Sequence, residues 1–445
     1  MKRQICLKLI LIMTLAALGM TSGLARGSQR DEDRAMSGAN TLLPASAPWF
    51  IDTVDAPHDV GQYVSMALDP DDGTAYISYY DTTYDDLRVA KYVGAGGNCG
   101  PHNDWSCETV DYVGDVGRYS SIAVDPTDHY PIIAYYDASH GALKLAIASA
   151  VGWIIKTIDD PMLGSTGLYA SLKLDSTGKP RIAYYFSNFM GADSLWYAEY
   201  VGGGTGNCGG NNYQCDPVDS GDRVGKYASL ALDSSGHPRI AYYDGGNNSL
   251  KYAYADGGWL IRRILAAPSG TPSGQYASLF VDVNNGDLPH IAHYDSTNGK
   301  LGYAVYVGSG GNCGMSNTLV YEWQCDEIEF VGTGAHPRGV SLAVDGDGRP
   351  IIAYQSGGSG LKVARPAAAL NQLSGNCGPA DPFYAWQCET ISLGISISQG
   401  DFLSLVVNSA GLATIAYYGN TMTSDGNLKI ASQRLQIFLP LAQKN

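Results

Sequence analysis

Tyr227-Ala-Ser-Leu-Ala-Leu-Asp233-Ser-Ser-Gly236-His-Pro238-Arg-Ile-Ala-Tyr-Tyr-Asp244 decides the fold of this chain. Two short apolar runs flank a turn in which Gly236 is free to take a positive φ, the signature of a β-hairpin. The first run returns as Ser65-Met-Ala-Leu-Asp69, Ser121-Ile-Ala-Val-Asp125, Ser171-Leu-Lys-Leu-Asp175 and Ser229-Leu-Ala-Leu-Asp233. It continues as Ser278-Leu-Phe-Val-Asp282, Ser341-Leu-Ala-Val-Asp345 and Ser404-Leu-Val-Val-Asn408. The serines are spaced 56, 50, 58, 49, 63 and 63 residues apart, so one unit of about fifty residues is read seven times.

Each unit parses into four short strands. The Ser-containing run is the first and Ile240-Ala-Tyr-Tyr-Asp244 with its equivalents the second. A Leu-x-apolar-Ala segment, such as Leu143 to Ala146, is the third. The fourth begins with an aromatic residue, as in Trp153-Ile-Ile-Lys-Thr-Ile-Asp159. Four strands per unit with no helical period predict an all-β chain, a seven-bladed β-propeller. Repeat seven stops after its third strand, Leu428-Lys-Ile-Ala431, while Trp49-Phe-Ile-Asp-Thr-Val-Asp55 precedes repeat one without a blade of its own. The N-terminal strand is therefore expected to complete the last blade and remove two free sheet edges. A linear solenoid would need caps at its ends, and complementary ends argue against it.

The chain has 445 residues, with 55 Gly and 20 Pro, a net charge of −15 and a pI near 4.8. An acidic surface of this kind argues against nucleic-acid binding, which needs a basic footprint. Lys2, Arg3 and Lys8 precede an apolar run from Leu7 to Met20, and Gly23-Leu24-Ala25 supplies small residues for cleavage. Residues 1–25 thus read as a signal peptide and 26–47 as a polar linker. The propeller is expected over 48–434 and a tail over 435–445. The apolar run is shorter than the roughly 20 residues of a membrane span, and no later segment supplies one. The tail, Ile437-Phe-Leu-Pro-Leu441, reads either as a sorting tag or as an apolar segment packed under the ring, the second being favoured.

Cys6 lies in the signal, which leaves eight cysteines. They fall as Cys99/Cys107, Cys208/Cys215, Cys313/Cys325 and Cys377/Cys388, the first of each pair within Gly-Asn-Cys-Gly. The pairs occupy the four long repeat intervals and are absent from the two short ones, so they decorate an insertion. No C-x-x-C or paired histidine accompanies them, which favours local disulfides over zinc half-sites. Signal and cysteines agree on a secreted, extracellular or cell-surface protein.

The Tyr-x-Ser-Leu-Ala-Leu-Asp and Pro-x-Ile-Ala-Tyr-Tyr-Asp units resemble those of secreted bacterial seven-bladed β-propellers over about residues 49–431. That resemblance implies a fold and an extracellular setting, and no settled activity.

In such a ring the first strands line a central channel, and the 4–1 and 2–3 connections share one face. Tyrosine supplies 31 aromatics against 8 Phe and 7 Trp, and the repeats direct two sets of tyrosines to that face. One set follows a glycine: Tyr63, Tyr119, Tyr169, Tyr227 and Tyr276. Repeat six departs with Arg338-Gly339-Val340 and repeat seven with Phe402. The other set ends strand two as Tyr80-Asp81, Tyr136-Asp137, Tyr243-Asp244 and Tyr294-Asp295. Phenol rings and carboxylates together suit sugar stacking and hydroxyl recognition. A residue copied in nearly every blade also serves the blade itself, as Asp does when it caps a turn.

Enzyme signatures are sparse. The Ser-x-Asp-x-Gly-x-x-Trp turn of sialidase-type propellers is missing, and fold alone carries no activity. His293, which replaces the first tyrosine of a strand-two pair, is the single weak catalytic candidate. Asp69-Pro-Asp-Asp-Gly73 and Asp345-Gly-Asp-Gly348 look like pieces of a calcium loop but lack its closing Glu, so no cofactor is expected, calcium being the alternative. The expectation is a non-catalytic binding or adhesion module for glycans or an extracellular protein partner. The alternatives are a polysaccharide-degrading lyase or glycosidase with its site at the central channel, and a structural surface component.

Overall fold

The computed structural model describes residues 47–434 except 57, 190, 192, 222, 266–272, 333–338, 358–359, 381–383, 393–400 and 422–423. The segments read from the sequence as signal peptide, linker (all but residue 47) and tail, together with Arg338, lie outside the described residues. Seven sheets are present, each built on four antiparallel strands, which follow chain order in blades one to six. Blade one consists of Val60–Leu68, Ala75–Asp81, Asp86–Tyr92 and Trp105–Asp111. Blades two to six follow as residues 116–159, 165–220, 224–265, 273–330 and 340–392.

The last blade has Asp401–Val407, Ala413–Thr421 and Ser424–Gln433 from the C-terminal side. Its fourth strand is Trp49–Asp55, paired antiparallel from Trp49 opposite Gln433 to Asp55 opposite Leu428. The ring is closed by both ends of the sequence, as the unmatched strand required. Packing follows the same seam. Val54, Leu428 and Ile430 share one apolar cluster with Ile77, Tyr79 and Trp105 of blade one.

A serine in every first strand explains why that position recurs. First strands of neighbouring blades share no ladder, so their inward backbone N–H groups need another acceptor. Ser121 Oγ accepts from Leu172 N at 2.9 Å, Ser171 from Leu230 N at 2.9 Å and Ser229 from Leu279 N at 2.9 Å. Ser65, Ser278 and Ser341 accept from Ile122, Leu342 and Leu405 in the same way, and Ser404 accepts from Met66 across the closure. All seven lie on a channel of about 410 Å³. Lys173 is the charged residue in this lining, where the other repeats place Ala67, Ala123, Ala231, Phe280, Ala343 and Val406.

The four disulfides join Cys99–Cys107, Cys208–Cys215, Cys313–Cys325 and Cys377–Cys388, each within one blade. The asparagine of Gly-Asn-Cys-Gly mimics a strand. Asn98 Nδ2 donates to the Cys107 carbonyl at 2.9 Å, and Cys107 N donates back to Asn98 Oδ1 at 2.7 Å. Its first glycine is required by contact, since a Cβ on Gly97 would stand 1.9 Å from the Trp105 carbonyl oxygen. In blades five and six the insertion adds a short fifth strand, Cys313–Met315 and Cys377–Ala380. No helix among the described residues is long and apolar enough to cross a membrane.

Candidate functional site: an aromatic ring over the channel

Each Gly-x-Tyr segment sits where the first strand is bulged against the second, as between Val116 and Ser121. The glycine comes so close to the preceding blade that a Cβ on Gly117 would lie 2.7 Å from Leu87 Cα. The tyrosine after it then turns inward with positive φ: 51° at Tyr63, 55° at Tyr119, 54° at Tyr169, 56° at Tyr227 and 52° at Tyr276. Phe402 joins them at 49°. Non-glycine residues in this region cost roughly 1–3 kcal/mol each, so the surrounding structure must over-determine the conformation.

The result is a continuous band of rings. Centroid separations are 4.5 Å for Phe402–Tyr63, 4.6 Å for Tyr63–Tyr119, 4.6 Å for Tyr119–Tyr169, 4.8 Å for Tyr169–Tyr227 and 4.3 Å for Tyr227–Tyr276. The sixth blade contributes Gly339 and Val340, so among the described residues no ring stands between Tyr276 and Phe402. The rings are half-buried and line a cup of about 210 Å³ at one end of the channel. The phenol hydroxyls of neighbouring rings influence one another along the band, from Tyr63 through Tyr119, Tyr169 and Tyr227 to Tyr276. Burial, the largest influence, raises the phenol pKa of Tyr119, Tyr169 and Tyr227, so these rings are uncharged at neutral pH.

The second tyrosines of the strand-two pairs form an outer layer, with Tyr80 5.9 Å from Tyr63 and Tyr185 6.0 Å from Tyr169. Their hydroxyls are committed to nearby loops: Tyr80 donates to Asp115 at 3.0 Å, Tyr243 to Asn248 at 2.7 Å and Tyr418 to Asp59 at 2.7 Å.

The strand-two aspartates share this face but turn into the protein. Asp81, Asp137 and Asp244 are buried, and each caps its own 2–3 hairpin, as Asp244 does for Asn247 N at 2.9 Å. Asp295 accepts from Thr297 N and Asn298 N at 3.0 Å each. The calcium-like segments are also turns, with Asp69 accepting from Asp71 N at 2.9 Å and Asp345 from Asp347 N at 3.0 Å. No group of three or more His, Cys, Asp or Glu residues among the described residues could hold a metal ion.

The first tyrosine of each pair does something the sequence left unread. It crosses to the acid that ends strand four of the preceding blade. Tyr79 donates to Asp55 at 2.6 Å, Tyr135 to Asp111 at 2.6 Å, Tyr184 to Asp159 at 2.8 Å and Tyr242 to Asp219 at 2.7 Å. Tyr354 likewise donates to Glu329 at 2.5 Å, and Tyr417 has Ser392 in that place. A cation opposite the tyrosine often completes the latch: Lys144 is 2.7 Å from Asp111 and Lys251 is 2.9 Å from Asp219. Burial pushes Asp111 up, but hydrogen bonds from Lys144, Tyr135 and Val113 N bring it below its ordinary value. At Asp159 the facing residue is Trp196, and burial raises the carboxyl.

His293 occupies this tyrosine position at the junction of blades four and five, where the acid is replaced by Leu265 and the cation by Gly302. A Cβ on Gly302 would fall 2.4 Å from the imidazole, so the ring fills the space that a longer residue 302 would take. The imidazole is 4% exposed and burial pushes its pKa down to about 4, leaving it neutral. It lines neither the cup nor the channel.

No protein-family model matches the chain, and no curated protein matches it in sequence. Among solved structures it is similar to a PL25 ulvan lyase, with 12% identity, a TM-score of 0.49, and 85% of this chain and 93% of that one covered. It is similar to a protein of unknown function from Dyadobacter fermentans, with 11% identity, a TM-score of 0.46, and 87% and 98% covered. An α-L-arabinofuranosidase of Fusarium graminearum gives 10% identity, a TM-score of 0.44, and 87% and 98% covered. At these values the likeness assigns no activity, and the propeller rests on the seven sheets themselves.

Proposed function

We propose that the chain is an extracellular, non-catalytic binding module that recognises glycans at the aromatic cup. The observation that carries this reading is the band of six rings held at positive φ around one axial opening. Such a surface offers apolar planes for the C–H faces of a sugar and hydroxyls for its oxygens, with no charge to desolvate. Gly339 takes the place of a ring at blade six, so the band is uneven and a ligand does not meet seven equivalent positions. Asp81, Asp137, Asp244 and Asp295 serve this site by fixing the loops that surround it.

A glycan array followed by calorimetry on the purified secreted protein tests the reading. Tyr169→Ala is expected to weaken binding roughly tenfold or more, the scale of one lost aromatic contact. Tyr169→Phe keeps the ring and removes one hydroxyl from the chain, and its loss is expected to be smaller. An array with no bound glycan, or affinity unchanged in Tyr169→Ala at full folding, overturns the proposal.

A further inference from the structure

The opposite face carries a second concave site, at the junction of blades four and five. Blade four lacks the cysteine insertion, so a short turn joins its third and fourth strands, with Asp256 N donating to Gly258 O at 2.9 Å. The groove left beside it measures about 390 Å³, and Tyr254, Arg262, Tyr306, Glu322 and Trp323 are among the residues that line it. Tyr306 packs edge-on to Trp323 at 5.5 Å. The guanidiniums of Arg239 and Arg262 lie 5.3 Å and 5.8 Å from the Tyr254 ring.

The charges in this wall are not equivalent. Arg239 is bound to Asp233, with Nη2 at 2.6 Å from Oδ2. Asp287 accepts from Ser234 N at 2.7 Å and Ser234 Oγ at 2.8 Å. Arg262 donates to its neighbour's carbonyl, Ile261 O, at 3.3 Å, and no ion pair of Arg262 is formed among the described residues, whereas Arg239 beside it pairs with Asp233.

The repeat supplies an internal comparison. At the position of Arg262 five blades carry an acid: Asp52, Glu108, Asp216, Asp326 and Glu389. Three of those acids accept from the indole of the next blade's fourth strand: Glu108 from Trp153 at 2.9 Å, Asp326 from Trp386 at 3.2 Å and Glu389 from Trp49 at 3.3 Å. At the junction of blades four and five the acid is missing. Trp323 Nε1, like the indoles of Trp105 and Trp259, has no hydrogen-bond acceptor among the described residues, and Arg262 lines the groove beside it at the position where five blades carry an acid. Blade two also lacks the insertion, yet it has Ile132, Leu145, Ile147 and Lys156 where blade four has Arg239, Tyr252, Tyr254 and Arg262. The aromatic and cationic set is therefore not a requirement of the short turn.

We infer that this groove binds a carboxylated pyranose, a hexuronate residue of an acidic polysaccharide, whose carboxylate takes the place of the missing acid between Arg262 and Trp323. The carboxylate accepts from the guanidinium fork and from the indole N–H, both otherwise short of acceptors. Tyr254 and Tyr306 flank the sugar ring, and Glu322 accepts from its hydroxyls. A carboxylate is preferred to a sulfate because the partner it replaces in the repeat is itself a carboxylate. The inference shares with the proposed function only the class of ligand, since the groove and the cup lie on opposite faces.

Calorimetry of the full-length secreted protein with tetragalacturonate, the neutral galactose tetramer and a sulfated galactose tetramer separates the outcomes. Tetragalacturonate is expected to bind at least about tenfold more tightly than the other two and to weaken as salt rises. Arg262→Asp restores the residue type of five other blades, so it should fold and melt no lower than the parent while losing tetragalacturonate binding. In competition, tetragalacturonate should not displace a neutral glycan held at the cup, which keeps a failure of the cup distinct from a failure of the groove. Equal binding of the neutral tetramer, preference for the sulfated one, or full affinity in Arg262→Asp overturns the inference.

Discussion

A chain that begins at Ala56 is expected to lose the cooperative fold, whereas one that begins at Ala47 keeps it. The segment between them is the fourth strand of blade seven, and Val54 within it is fully buried. Removing it deletes a six-pair ladder with Ser424–Gln433 and opens one edge on blade seven. It also takes away Asp55, leaving the buried Tyr79 hydroxyl and the Arg88 guanidinium, 3.2 Å from that carboxylate, without their shared partner. Losing one side of a buried ion pair alone costs roughly 3–5 kcal/mol, a large part of the stability of an ordinary domain. Gln433 is bound here as well, its Nε2 donating to Ala47 O at 3.0 Å.

The same geometry predicts the rescue. Arg434 N donates to Pro48 O at 3.3 Å, so the two ends already lie at hairpin distance. A permuted chain that starts at Ala56 and carries Ala47–Asp55 after Arg434 through a short turn should recover a single sharp urea transition. A chain starting at Ala56 that unfolds as cooperatively as the parent would show that blade seven does not need its N-terminal strand.

That strand was legible because its information is local. Trp49 to Asp55 matches Trp153 to Asp159 by direct comparison, and the cysteines sit a few residues apart in insertions of their own. The Gly-x-Tyr tyrosines were assigned to one face from strand order alone, and the structure gathers all five with Phe402 into one band. What escaped were contacts between blades. Ser229 reads as an ordinary strand residue until Leu279 N is seen to need an acceptor fifty residues away. Asp111 and Tyr135 belong to different repeats, and nothing in either segment says that they meet. Arg262 was missed although a signal existed: aligned by repeat, it is an arginine in a column of acids. Repeats invite attention to what recurs, while a groove that binds one ligand is built from what departs.

The Tyr–acid latch gives the second large effect, and its missing copy supplies the control. Asp111→Ala should destabilise the protein by about 3 kcal/mol, because Tyr135 and Lys144 keep their buried places without the carboxylate. Lys144 retains Asp137 at 3.4 Å, which holds the loss to the lower end of the usual range. The pH dependence follows from the direction of the shift. Asp111 titrates lower folded than unfolded, so its contribution is full above the unfolded value near 3.9 and is lost as pH falls through the folded one. The gap between parent and variant in urea denaturation should be widest near neutrality and close in acid. At the junction of blades four and five the latch is absent as a set: Leu265, His293 and Gly302. His293→Tyr alone places a buried hydroxyl opposite Leu265 with no acceptor and should cost roughly 1–3 kcal/mol. Adding Leu265→Asp and Gly302→Lys rebuilds the arrangement of blades two and four, and the triple variant should regain that loss or exceed it. If His293→Tyr is as stable as the triple variant, the latch is a recurring contact without a share in holding the blades together.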